Sequence, residues 1–114
     1  VVVLLLLCLL SLLLASSTGP VLRGAMAKQL ADFDTAHCGA ILDTQLDAFG
    51  HRLATASADG HVRLWDVRNP EEPAFLTDLG GHSGPVHQVV WGPPETGAGS
   101  LLASAGADGR VLIW

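Results

Sequence analysis

Basic residues are scarce in this sequence, and the shortage sets a first limit on its function. Lys and Arg together number 6, against 11 Asp and Glu, so the formal net charge is −5. A nucleic-acid-binding surface is expected to show a basic stripe or patch. The charge balance therefore argues against nucleic acid as a partner. The sequence also shows no metal-binding motif and no phosphate-binding loop, which leaves the protein surface as the part that acts.

Cysteine is also rare. The only two, Cys8 and Cys38, form no CxxC motif and supply no disulfide framework. This usage fits a reducing, cytosolic compartment. A zinc site built from His37, Cys38 and His61 is an open alternative, although the spacing of these residues matches no known zinc-ligand pattern. We therefore expect no metal site and no cofactor.

One long hydrophobic run, VVVLLLLCLLSLLL, fills residues 1–14. It is shorter than the ~20 apolar residues that a bilayer-spanning helix needs. It resembles the core of a signal peptide, with small residues at 15–17, but it lacks a basic N-terminal region and an initiating Met. We expect translation to start at Met26, so that residues 1–25 are a hydrophobic leader outside the native fold. A truncated signal or anchor and a buried helix are the alternatives.

The rest of the sequence contains one pattern that occurs twice. Residues 52–66, RLATASADGHVRLWD, indicate two short strands joined by a turn at Asp59-Gly60. Asp-Gly between strand-forming residues is among the strongest short hairpin signals, because Gly adopts the positive φ that a tight turn needs. Residues 101–114, LLASAGADGRVLIW, repeat the pattern with Asp108-Gly109, 49 positions later. A fixed period of this size indicates a repeat array.

Each hairpin belongs to a longer set of residues in a constant order. A His precedes it, a small hydroxyl residue lies four positions before the turn Asp, and a Trp ends the second strand. The sets are His37, Thr55, Asp59 and Trp65, and His82, Ser104, Asp108 and Trp114. Gly81-His82 opening one repeat and Trp65-Asp66 closing the other resemble the signature of the WD-repeat family, in which each repeat forms one blade of a β-propeller.

The resemblance implies a structural role for both sets, as hydrogen-bonded tetrads inside the blades. A turn carboxylate accepts from an imidazole N–H, the imidazole contacts the hydroxyl, and the indole N–H completes the chain of bonds. The alternative is an Asp-His-Ser catalytic set. Duplication of the constellation in the same order, with the hydroxyl, Asp and Trp each repeated 49 positions later, favours the structural role, so we expect no catalytic residue.

The repeats divide the chain into four parts, the first being the leader of residues 1–25. Residues 26–36 are predicted to hold an N-terminal strand, at 28–34, that closes the last blade of a propeller. Residues 37–80 form the first WD repeat, and residues 81–114 form a second, truncated one. In the first inner strand, Ile41, Leu42 and Leu46 are the expected core. The expected fold class is all-β: an N-terminal fragment, of about two blades with the second incomplete, of a WD-repeat β-propeller, which the closer family resemblance described next implies is open and six-bladed.

From residue 34 onward the sequence closely resembles the Sec-thirteen family of coat propellers. Segments that carry the resemblance include Asp66-Val67-Arg68-Asn69, Gly81-His82 and Gly84-Pro85-Val86. It implies a non-enzymatic scaffold subunit of the COPII vesicle coat in ER-to-Golgi transport, shared with the nuclear pore outer scaffold. The implied locations are the cytoplasmic face of the endoplasmic reticulum, COPII vesicles and the nuclear pore in the nuclear envelope.

The same resemblance implies protein partners and no small-molecule substrate. A larger coat protein of the Sec-thirty-one type would donate a seventh blade, a form of β-augmentation. Nucleoporin scaffold proteins and subunits of a nutrient-signalling complex would be further partners. Ile41, Leu42 and Phe49 are the expected contact residues beside the gap in the ring. Two alternatives stay open: a generic WD-repeat adaptor, such as a ubiquitin ligase substrate receptor, and a propeller hydrolase, which would need an added polar cluster at the central channel.

Overall fold

The computed structural model describes residue 29 and residues 31–114. The predicted leader of residues 1–25, the start at Met26 and the alternatives to them lie outside the described residues. Within the described part of the chain, no helix is long and apolar enough to cross a membrane.

Seven strands and one short 3-10 helix make up the regular structure of the described residues. The strands form two antiparallel sheets, ordered β1-β2-β3-β4 and β5-β6-β7. A four-stranded and a three-stranded meander are what two blades, the second incomplete, require, so the prediction of an all-β partial propeller is confirmed. The elements are β1 (Ile41–Leu46), β2 (Arg52–Ser57), β3 (His61–Asp66), β4 (Ala74–Gly80), β5 (Val86–Trp91), the 3-10 helix (Pro94–Thr96), β6 (Leu102–Gly106) and β7 (Val111–Ile113).

Both Asp-Gly turns form where the sequence predicts them. Gly60 has a φ of +87° and Gly109 a φ of +75°, in the left-handed region that an L side chain rarely adopts. The turn carboxylates also fasten the strands that follow. The Oδ1 atoms of Asp59 and Asp108 accept hydrogen bonds from the backbone N–H two residues later, at 2.9 Å and 3.1 Å. Local turn chemistry therefore fixes both hairpins.

The hydrophobic core lies between the two sheets. Ala54, Ala56 and Val62 of the first sheet are fully buried, and Val86, Val89 and Leu102 of the second sheet face them at 0–1% exposure. The two alanines keep the surface of β2 low, which favours close approach of the second sheet. Leu64, Leu79, Trp91 and Trp114 pack around this cluster.

Two hydrogen bonds tie the inner strands β1 and β5 together across the sheets. The Val89 N–H donates to Oδ2 of Asp43 at 2.9 Å, and the Trp91 indole N–H donates to the backbone oxygen of Gln45 at 3.0 Å. These bonds set how β5 lies beside β1. The two sheets are therefore adjacent blades that share one core.

The expectation that β1 contributes Ile41 and Leu46 to the core is wrong. Leu46 is 55% exposed and Ile41 is 45% exposed, while Leu42 is half-buried. Residues paired directly across antiparallel strands share a face, and Leu46 heads a row of such pairs with Leu53, Trp65 and Phe75. We call this side, with that row and Ile41, the open face of the first sheet. It is turned away from the second sheet, which is why its apolar residues stay exposed.

Residues 31–40 contain no strand, although the sequence predicts one at 28–34. Half-buried and exposed residues alternate from 31 to 37, and the segment lies against the open face of the first sheet. The predicted partner of this segment is a strand of another blade. Closure of a last blade by residues 26–36, of which 26–28 and 30 lie outside the described residues, therefore stays a prediction.

Candidate functional site

The structure brings together the four residues of the first predicted tetrad. The Nδ1–H of His37 donates to Oδ2 of Asp59 at 2.9 Å, because a carboxylate can only accept. Its Nε2 atom lies 3.0 Å from the Thr55 hydroxyl oxygen, which is also 3.3 Å from the backbone oxygen of Arg63, and the indole N–H of Trp65 donates to the same hydroxyl oxygen at 3.3 Å. One chain of bonds thus joins the segment before β1 to β2, to the turn and to β3.

The second tetrad repeats this arrangement. His82 Nδ1 lies 3.0 Å from Oδ1 of Asp108, and His82 Nε2 lies 2.9 Å from the Ser104 hydroxyl oxygen. The indole N–H of Trp114 donates to that oxygen at 2.9 Å. Ser and Thr are interchangeable here because only the hydroxyl takes part in the bonding.

Both tetrads are shielded from solvent. The side chains of His37 and His82 are 1% and 0% exposed, and those of Asp59 and Asp108 are 11% and 5% exposed. No buried side-chain nitrogen or oxygen of the described residues lacks a hydrogen-bond partner. Both networks are therefore fully satisfied, the condition under which a buried polar network rigidifies a core.

Hydrogen bonding keeps the turn carboxylates ionised. Partial burial raises the pKa of Asp59, but bonds from the His37 ring and from the backbone N–H groups of His61 and Cys38 outweigh it and lower the pKa to about 2. Desolvation likewise raises the pKa of Asp108, and bonds from His82, Ser83 and Arg110 lower it to about 2. Each carboxylate thus holds the tetrad imidazole, the backbone N–H of the residue after that His, and the backbone N–H that follows its own turn.

The distances within the second tetrad also fit an Asp-His-Ser catalytic set, but its surroundings do not. Ser104 is 1% exposed, and its oxygen already accepts the indole N–H of Trp114. A nucleophile must be reachable by its substrate, and this hydroxyl is enclosed. The arrangement can hold the blade together and offers no reaction site.

The alternative zinc site is not assembled. Both ring nitrogens of His37 are engaged by Asp59 and Thr55, and the His61 ring bonds Asp78 instead. Across the described residues there is no group of three or more His, Cys, Asp or Glu that could hold a metal ion. Cys38 is an exposed free thiol.

The predicted partner-binding residues lie in two places. Ile41 pairs with Ser57 on the open face of the first sheet, and Leu42 follows it at an irregularity in the β1–β2 register. Phe49 is in the β1–β2 loop, 65% exposed, with its ring 6.2 Å from that of His51. Leu46 and Phe75 extend the open face, each 55% exposed. The sequence analysis placed Leu46 in the core because the pattern does not reveal which face of β1 is covered, and it did not single out Phe75.

An arginine that the sequence analysis did not single out joins the two sheets. The guanidinium carbon of Arg52 lies 4.4 Å from the centre of the Trp91 ring, a cation–π contact. Its Nε donates to Oδ2 of Asp47 and its Nη2 to the backbone oxygen of Gly99, both at 2.9 Å. Burial raises the pKa of Asp47, but the bond from Arg52 outweighs it, and the net pKa is lowered. A charged residue at the start of a strand that otherwise contains only small or apolar side chains was the only signal in the sequence.

The segment before β1 is fastened to the open face by two contacts. The Phe33 ring meets Trp65 edge-on with centroids 4.9 Å apart, and Trp65 meets Phe75 at 5.4 Å. Arg63 Nη1 donates to the backbone oxygen of Thr35 at 2.6 Å while its Nε donates to Asp78 at 3.1 Å. Trp65 is therefore 6% exposed although its sheet has no second sheet on that side.

Comparison with known proteins matches both repeats. The family model for the WD domain, G-beta repeat, matches residues 28–66 and 74–114. "Protein transport protein SEC13" of Lodderomyces elongisporus is 44% identical over 79 residues, which is 69% of this chain and 25% of that protein. "Protein SEC13 homolog" of Caenorhabditis briggsae is 46% identical over 81 residues, 71% of this chain and 26% of that protein. The Cryptococcus neoformans SEC13 protein is 41% identical over 95 residues, 83% and 27%. The chain thus spans about a quarter of the length of these relatives.

Proposed function

The chain belongs to the WD-repeat family, and on that premise we propose that it acts as a non-enzymatic scaffold in a protein-transport coat of the COPII type. Relatives that carry the name of a protein transport protein support the proposal. The closed tetrads support the absence of catalysis, because their hydroxyls are buried and already bonded. The proposed locations are the cytoplasmic face of the endoplasmic reticulum, COPII vesicles and the nuclear pore.

The main support for the proposal is the open face of the first sheet. The equivalent face of the second sheet is covered within the molecule by the first sheet. Trp91, Leu102 and Trp114 form a cross-strand row in the second sheet at the positions that Leu46, Leu53 and Trp65 hold in the first. The second-sheet row packs against the core, with Leu102 at 1% exposure. Equivalent apolar residues on the open face call for an equivalent cover, namely another sheet.

A blade donated by a larger coat protein of the Sec-thirty-one type is the proposed cover. Such a blade would meet Ile41, Leu46 and Phe75 directly, and Leu42 and Phe49 would border it. Apolar surface of this kind is typical of obligate interfaces. Nucleoporin scaffold proteins and subunits of a nutrient-signalling complex are the other proposed partners, and we expect them to compete for the same face.

Affinity purification of the whole protein from cells tests the proposal. Ile41→Asp and Leu46→Asp place a charge on the open face and should release the coat partner, while Glu71→Lys, in the exposed β3–β4 loop, should retain it. All three variants must be folded for the comparison to count, as judged by far-UV circular dichroism. Recovery of a ubiquitin ligase core, with neither coat nor nuclear pore subunits, would favour the generic adaptor instead.

A further inference from the structure

A cavity of about 290 Å³ opens at the end of the first sheet where β2 begins and β3 ends. Its seven lining residues all lie between positions 47 and 76, on strands β2, β3 and β4 and on the loops that join β1 to β2 and β3 to β4. The first sheet alone therefore forms the cavity. A volume of this size is close to the lower limit for ligand pockets, so it suits one or two side chains of a partner.

Two of the lining side chains are large, apolar and exposed: Phe49 at 65% and Leu76 at 47%. Asp47 holds the loop that carries Phe49, because its backbone oxygen accepts from the Gly50 N–H at 3.0 Å and its Oδ1 from the His51 N–H at 2.8 Å. The His51 ring also stacks beside the Phe49 ring, 6.2 Å away. An aromatic ring that is already held loses little conformational entropy on binding, which suits it as an interface anchor. A homologue with another loop length would place Phe49 differently, so this arrangement is a property of this chain.

Two arginines in the cavity lining are more exposed than the carboxylates that they pair with. The Arg68 side chain is 68% exposed against 21% for Asp66, and that of Arg52 is 32% exposed against 2% for Asp47. Each carboxylate also accepts a backbone N–H. Among the described residues, the Nη1 atom of neither arginine makes a hydrogen bond. The cavity therefore presents unused N–H donors, while its carboxylates are already bonded.

Two guanidinium groups in one cavity are a concentration of positive charge in a chain whose net charge is −5. Residues 31–114 contain no lysine and four arginines, namely Arg52, Arg63, Arg68 and Arg110. Glu72 borders an adjoining cavity beside Arg68, but the two form no ion pair in the described part of the chain. Guanidinium groups match the two oxygens of a carboxylate, so the cavity favours an anionic ligand.

We propose that this cavity is a docking site for an acidic segment of another protein. A carboxylate side chain of the segment accepts hydrogen bonds from the unused N–H groups of Arg68 and Arg52. An aliphatic side chain next to it in the segment contacts Phe49 and Leu76. The site therefore selects segments in which Asp or Glu adjoins an aliphatic residue. It goes beyond the proposed coat function, because the donated blade is proposed to cover the open face and the cavity lies at the end of the sheet.

Fluorescence anisotropy of labelled peptides added to the whole protein tests the site. The probe is Gly-Asp-Leu-Asp-Gly with both ends blocked. One control peptide replaces both Asp by Asn, and the other replaces Leu by Ser. The probe should bind at least about fivefold more tightly than either control, because the first control loses the charged hydrogen bonds and the second loses the apolar contact. Equal affinities for the three peptides, or no saturable binding of the probe, would overturn the proposal.

Variants with native far-UV circular dichroism locate the binding. Arg68→Gln should reduce the affinity for the probe to that of the Asn control, whereas Arg110→Gln, at an exposed arginine after the other Asp-Gly turn, should leave it unchanged. Glu72→Gln should raise the affinity, because it removes a carboxylate beside Arg68. Parental affinity in Arg68→Gln would place the peptide elsewhere and contradict the proposal. Arg68→Gln should also retain the coat partner in affinity purification, and its loss would overturn the cavity as a separate site.

Discussion

At the scale of the residue, each turn aspartate joins the segment before its sheet to the hairpin turn and to the strand that follows it. Asp59 bonds the His37 ring and the backbone N–H groups of Cys38 and His61, and Asp108 does the same for the second repeat. The negative charge of each carboxylate is stabilised by the hydrogen bonds that it accepts from the imidazole and the two backbone N–H groups. The stability of each blade should therefore depend on a single carboxylate.

Asp59→Ala in the whole protein should lower the free energy of unfolding by about 1–3 kcal/mol, because it leaves the buried N–H of His37 without an acceptor. Chemical denaturation measures the change. Asp108→Ala should act in the same direction, and Glu95→Ala, at an exposed position of the short 3-10 helix, should change stability by less than about 0.5 kcal/mol. An Asp variant of native stability that had lost a catalytic activity would contradict the structural role.

Acid should weaken the molecule through the same groups. The pKa values of Asp59 and Asp108 fall from 3.8 to about 2 on folding, so the unfolded chain takes up protons first. Their contribution is complete above pH 3.8 and is lost as the pH falls towards 2. Denaturation curves at pH 5, 4, 3 and 2 measure this loss.

The control for the acid prediction is the double variant Asp59→Asn, Asp108→Asn. An amide oxygen can still accept from the imidazole but does not titrate in this range. The variant should lose less stability than the parent between pH 4 and 2. Asp66, whose pKa Arg68 lowers to about 2, remains in both proteins and supplies the common background. Identical acid profiles would show that the tetrad carboxylates are not responsible.

At the scale of the element, the sequence predicted the two hairpins, but it did not predict which face of each strand is buried. Asp59-Gly60 and Asp108-Gly109 fixed both turns because their chemistry is local. The strand of Leu46 was also predicted, but its exposure depends on which face the second sheet covers, a tertiary property. The contact of Arg52 with Trp91 joins residues 39 positions apart. No local sequence pattern around either residue predicts that the two would meet.

The two turn glycines form a matched pair for testing element packing. At Gly60, an added Cβ would lie 3.0 Å from the backbone oxygen of His82, whereas at Gly109 it would meet nothing within 4 Å. Both positions have positive φ, so alanine costs roughly 1–2 kcal/mol of backbone strain at either. Gly60→Ala should be more destabilising than Gly109→Ala in this chain by urea denaturation. Equal effects would mean that the backbone around His82 moves away from the added methyl group at little cost in stability.

At the scale of the whole molecule, one shared core must support two sheets that each expose an apolar face. Repeat proteins gain stability from each interface between neighbouring units, and residues 31–114 contain one such interface, between the two sheets. Arg52 and the two bonds between β1 and β5 reinforce it. The conformational entropy lost on folding is offset by little packing.

Residues 26–114 should accordingly lack a cooperative unfolding transition at concentrations too low for association. Thermal denaturation followed by tryptophan fluorescence should give a broad, shallow curve that sharpens as the protein concentration rises. Exposed faces that find a cover at high concentration explain the change. A sharp melt that is independent of concentration, in a sample shown to be monomeric by sedimentation, would contradict this view of the architecture.

The packing of the first turn against the second sheet also restricts how related genes can vary in length. Residues 58–60 hold the first tetrad on one side and lie beneath the His82 segment on the other. An inserted codon there would disturb two repeats at once, and we expect purifying selection to remove it. Space is open around Gly50 and Gly97, where an added Cβ meets nothing within 4 Å. Homologous sequences should therefore show insertions and deletions near Gly50 and Gly97, while the length of the first Asp-Gly turn stays constant.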